Sequence, residues 1–155
     1  MFPYNAKDLH ASDLGFSLYD QQHALEPVGF DDPYVVIGLY LKNNLNQEQF
    51  ISELQRETYS SFLHLTSEDL VGNIETAINL YVSPLSDLLK NSITGCVIKT
   101  HIALGYLLLV QCDEDAFSYV MLEEYGISEQ DSRSLRKQLL KNFNISVKKY
   151  PNMII

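Results

Sequence analysis

The chain has no tryptophan, only two cysteines, five prolines and seven glycines in 155 residues. Each shortage excludes something. Cys96 and Cys112 form no CxxC pair, so neither a zinc-ribbon nor a thioredoxin-type pattern is present. So few cysteines suit a reducing compartment, and a chain of this size needs no disulfide to bury a core. The glycines are scattered and form no phosphate-cradling loop. Basic residues are scarce: 11 Lys and Arg stand against 20 Asp and Glu, a formal net charge of −9. That balance disfavours general nucleic-acid binding and docking on an anionic bilayer. Long apolar runs are also missing. The longest, Ile102 to Val110, is too short to cross a membrane. The first residues show no basic segment followed by an apolar run, so no secretory signal is expected and a cytoplasmic location is.

The acidic charge is unevenly spread. Residues 113–131 hold seven acids and no base, while residues 132–155 hold six bases and no acid. The overall sign suits attraction to a basic protein partner, and the asymmetry is compatible with a homodimer.

Residues 1–31 lack clear periodicity and mix acids with Phe2, Tyr4, Phe16, Tyr19 and Phe30. They read as an irregular arm with at most one short helix, packed on the domain or on a partner. Residues 32–150 read as a helical domain. Asp32-Pro33 is a helix start, because Asp caps and Pro at the first position loses no needed N–H. Asn46 with Gln49, and Thr66 with Asp69, mark two further starts. Leu70, Val71, Ile74, Ala77, Ile78 and Tyr81 recur at helical spacing until Ser83-Pro84 breaks the run. Asp113, Glu114 and Asp115 place negative charge in a first turn, and Gly126 suits the left-handed residue after a helix. Ser128 caps a last helix bearing Leu135, Leu139 and Leu140.

Two segments fit both patterns. Residues 34–41 are rich in β-branched side chains, and residues 96–112 alternate as well as they repeat. The expectation is a mostly α single domain of about six or seven helices. The alternative is an α+β domain with a hairpin at 96–112, which would bring Cys96 opposite Cys112. No internal repeat is visible in the residues.

Candidate chemistry is sparse. The four histidines show no metal-ligand spacing, and no G-x-S-x-G elbow or paired acid–base motif stands out. The paired carboxylates sit at helix starts, where capping explains them. No catalytic, cofactor or metal residue is assigned. His101 has Gly105 four residues on, one helical turn above the imidazole. That pair resembles the phosphoacceptor helix of histidine phosphotransfer domains, although the Lys expected before the Gly is Leu104 here. The resemblance implies phosphotransfer through His101, and a helical bundle can also host a ligand between its helices; the alternative function is therefore a small helical regulatory domain that binds a small ligand or passes phosphate through His101.

The favoured expectation is a non-enzymatic acidic interaction module that masks or scaffolds a cognate protein, of immunity-protein, secretion-chaperone or adaptor type. Its expected contact residues are Tyr4, Phe16, Tyr19, Asp31 and Asp32. Tyrosine joins a large contact area to a polar tip, and the acids would steer a basic partner.

Overall fold

A computed structural model describes residues 9–60, 65–90 and 98–143. Among these residues the protein is all-helical, with eight α-helices and no strand. The hairpin alternative is therefore overturned. Residues 100–109 are helix, and so are residues 33–42. Cys96 lies outside the described residues. A wide helical segment, Ile78–Val82, runs up to Ser83-Pro84, and within it Asn79 Oδ1 accepts from Leu85 N.

The core is built around two helices that are buried on every side. Helix α2 is Pro33–Lys42, in which Pro33 to Leu41 are all buried. Helix α6 is Thr100–Leu109, buried at Thr100, His101 and Ala103 to Leu108. A helix that is apolar all round belongs inside a protein, and this burial also erases the periodicity that would mark it as helix in the sequence. The two cross at Gly38 and Gly105. A Cβ built on Gly38 would lie 2.6 Å from Gly105 O and 2.7 Å from Leu109 N. One built on Gly105 would lie 2.7 Å from Gly38 O and would collide with Lys42 N. Only glycine permits backbones this close.

Those contacts are reciprocal, and the reciprocity extends along the chain. Each residue of α2 corresponds to one 67 positions later in α6. The turn after α2 bonds Asn43 N to Leu39 O, Asn44 N to Leu41 O, Leu45 N to Tyr40 O and Asn46 N to Asn43 O. The turn after α6 repeats all four, as Val110 to Tyr106, Gln111 to Leu108, Cys112 to Leu107 and Asp113 to Val110. Asn44 and Leu45 have φ of 57° and 63°, and Gln111 and Cys112 have φ of 54° and 60°. Helices α3 (Gln47–Thr58) and α7 (Glu114–Tyr125) follow, each of 12 residues, capped by Asn46 and Asp113 and closed by left-handed Tyr59 and Gly126. Helices α4 (Ser67–Ala77) and α8 (Glu129–Phe143) begin alike. Asp69 N donates to Thr66 Oγ1 and Asp131 N to Ser128 Oγ. Residues 32–59 and 99–126 thus duplicate one backbone plan, with a local pseudo-twofold at the glycine crossing, although the residues show no repeat.

Fully buried Phe50 and Leu54 of α3 match fully buried Phe117 and Met121 of α7. Each such side chain stabilises the fold by about 2 kcal/mol. The cores diverge at several positions of α4 and α8, among them buried Leu70 against Ser132 and Val71 against Arg133. Ile74 of α4 is answered by Arg136 of α8, which is 1% exposed. Its Nε donates to Cys112 O at 3.0 Å, and its guanidinium lies 3.6 Å from Glu114 Oε2.

The described part of the arm is more structured than its sequence suggests. Residues 11–14 form a 3-10 turn. Helix α1 (Leu18–Asp20) runs on through wider and tighter turns to Val28. The segment packs on the domain through Leu14, Phe16 and Leu25, and Asn73 Nδ2 of α4 donates to Leu14 O at 2.9 Å. Helix α5 (Leu85–Lys90) completes the set.

Candidate protein-interaction surface

The residues expected to meet a partner fall in different places. Tyr4 lies outside the described residues. Phe16 is a core residue, 3% exposed, so it is unavailable for contact. Its aromatic character reflects packing of the arm. Asp32 serves the fold. Its Oδ1 accepts from Tyr34 N at 3.0 Å, capping α2, and its Oδ2 accepts from Gln111 Nε2 at 3.1 Å. Tyr19 and Asp31 are exposed.

Tyr19 stands beside Leu18, and the two are 69% and 68% exposed. They project from α1, whose start is fixed by Ser17 Oγ accepting from Asp20 N. The Tyr19 ring rests on His23 with centroids 4.3 Å apart, which limits its freedom before any partner arrives. Behind Leu18 lies an open groove of about 410 Å³, lined in part by Leu9, Leu18, Glu26, Asp31 and Pro33. Apolar Leu9, Leu18 and Pro33 and acidic Glu26 and Asp31 therefore meet in one place, together with polar His10, Gln21 and Gln22.

His101 does not sit in an open site. It is 5% exposed, and Nε2 lies 2.6 Å from Asn44 Oδ1. A neutral ring with its proton on Nε2 donates to that oxygen. Burial, assisted by the charge of Lys99, lowers the ring's pKa below its usual 6.5. The space that Gly105 opens is filled by the backbone of α2. The glycine that prompted the phosphotransfer comparison is thus used for helix crossing.

Cys112 is fully buried, and desolvation pushes its thiol up to about 12. A thiol held protonated is a poor nucleophile. Tyr40 Oη donates to Glu75 Oε2 at 2.7 Å, and burial followed by that contact raises its pKa. Lys42 Nζ meets Glu53 Oε1 at 2.8 Å and lies 5.9 Å from the centre of the Tyr106 ring. These groups join α2, α3, α4 and α6, and their roles are structural. Among the described residues no three His, Cys, Asp or Glu side chains gather as a metal site, and no helix is long and apolar enough to cross a membrane.

No known family, curated protein or solved structure matches the chain.

The sequence reading missed a second exposed apolar pair. Tyr119 and Leu122 of α7 are 65% and 53% exposed. They lie three residues apart and so share a helix face. Both sit on the side of α7 opposite to the buried stripe of Phe117 and Met121, and an apolar residue off the core stripe is the only signal they leave in the sequence.

Proposed function

We propose that the protein is an acidic interaction module that binds and covers or scaffolds a cognate basic protein without catalysing a reaction. The observation that carries this reading is the Leu18–Tyr19 pair, held two-thirds exposed beside a groove rimmed by Glu26 and Asp31. Large apolar side chains fixed on a charged surface lose little entropy on binding and provide the desolvated centre of an interface. The acids steer the partner and set its orientation.

The test is capture of partners from the source organism's extract by the tagged full chain at two salt concentrations. Leu18→Ser/Tyr19→Ser and Asp31→Lys variants are run in parallel. A stoichiometric basic protein, lost at high salt and weakened about 30-fold by the double variant, supports the reading; that factor corresponds to a hot spot of about 2 kcal/mol. A partner retained equally by all variants places the contact elsewhere, and no partner at either salt overturns the reading. Asp32→Lys is unsuitable because it also removes the α2 cap.

A further inference from the structure

The duplication supplies an internal control for the surface of α7. Its outward face carries Asp115, Tyr119, Leu122 and Glu123, all exposed. The same positions of α3 are Glu48, Ser52, Gln55 and Arg56. One backbone position in the fold therefore has a polar face with charges of both signs in one half, and an apolar centre with acidic flanks in the other. The shared backbone plan does not by itself require Tyr119 and Leu122, because the equivalent positions of α3 are the polar Ser52 and Gln55. The two arginines of α8 are already engaged. Arg133 pairs with Glu114 and Glu129, and Arg136 with Glu114. Among the described residues Asp115 and Glu123 have no ion-pair partner.

We infer that this face of α7 is a docking surface for a cationic amphipathic helix of a partner protein, separate from the Leu18–Tyr19 surface. Charge complementarity selects the occupant. A basic helix lays its apolar stripe on Tyr119 and Leu122 and its Lys or Arg residues against Asp115 and Glu123. The four positions span about 12 Å along the axis at 1.5 Å per residue, a little over two turns, which suits a helix laid alongside. A second copy of the same face is disfavoured because it would set Asp115 and Glu123 against their own counterparts.

The probe is a synthetic 18-residue helical peptide of leucine and lysine, titrated into the isotope-labelled full chain and followed through amide shifts. Shifts centred on 115–123, and affinity reduced about 30-fold by Tyr119→Ser/Leu122→Gln, are expected. These substitutions install the α3 side chains, so the fold is retained. The reciprocal graft Ser52→Tyr/Gln55→Leu/Arg56→Glu should create a second site on α3. The shifts at 115–123 should persist in a Leu18→Ser/Tyr19→Ser chain, which separates this surface from the arm. Shifts centred on 18–31, unchanged affinity in the α7 variant, or no binding overturn the inference. So does a dimer that sediments as such and is dissolved by the α7 variant.

Discussion

The two halves of the domain share a backbone plan and differ in what they expose and bury. Half one places Ile74 against the centre, and half two places Arg136. Half one closes α3 with Tyr59 in the left-handed region, and half two closes α7 with Gly126. Half one faces solvent with Ser52 and Gln55, and half two with Tyr119 and Leu122. What stays fixed is glycine at the contact, an aromatic ring one helix on, and a capping side chain at the starts of α3, α4, α7 and α8. What varies shows which positions the fold leaves free for other uses.

The largest expected effect comes from breaking the crossing. Gly105→Ala should cost about 3 kcal/mol, the upper end for overpacking, because the added methyl meets backbone that cannot rotate away. Gly38→Ala should cost a similar amount, since its contacts are the mirror of the first. Urea unfolding of the two variants checks this. A large effect at one glycine and none at the other would break the pseudo-twofold. As a surface control, Gly72→Ala has open space around the new methyl and should stabilise its helix by up to about 1 kcal/mol.

The helix ends sharpen the comparison at smaller scale. Tyr59 has φ of 52° and is 92% exposed, so it bears the left-handed strain with little burial in return. Tyr59→Gly should raise stability by about 1 kcal/mol, and Gly126→Ala should lower it by about the same. Equal and opposite shifts in unfolding midpoint are expected. A destabilised Tyr59→Gly would show that the exposed ring contributes more than the strain costs.

These ends also show what was legible in the sequence. Asp32, Asn46, Thr66, Gly126 and Ser128 are readable as start and stop signals because capping is local chemistry, and each caps as expected, while Asp113, expected in the first turn of α7, is its cap. The buried helices α2 and α6 were ambiguous because a segment covered on all sides keeps no period. The duplication was hidden for a related reason. Across 32–59 and 99–126 the identical pairs are Gly38/Gly105, Leu41/Leu108, Phe50/Phe117 and Glu57/Glu124. The rest of the likeness lies in backbone bonds and left-handed turns, which quite different side chains can satisfy. Of the expected contact residues, Phe16 misled because an aromatic ring in an aperiodic segment looks the same whether it packs inward or waits for a partner. Asp32 caps α2, and the sequence cannot separate that role from a contact role because one carboxylate can both cap and attract.

The smallest effect at neutral pH, and the one most specific to half two, belongs to His101, whose counterpart in α2 is Tyr34. The folded-state pKa of His101 lies below 6.5, mainly through burial and further through Lys99. The unfolded chain therefore binds more protons than the folded one once pH drops below about 6.5. The stability that His101 supports is fully present above that value and is lost as pH falls from it towards the folded pKa. One proton contributes at most about 1.4 kcal/mol per pH unit to the slope. His101→Gln keeps a donor for Asn44 Oδ1 and cannot titrate. It should match the parent above pH 7 and show a shallower loss between pH 6.5 and 5, measured as unfolding free energy against pH. An identical acid limb in both proteins would mean that the imidazole reaches solvent in the folded state. In that case the closeness of α2 at Gly105 would not seal this end of α6.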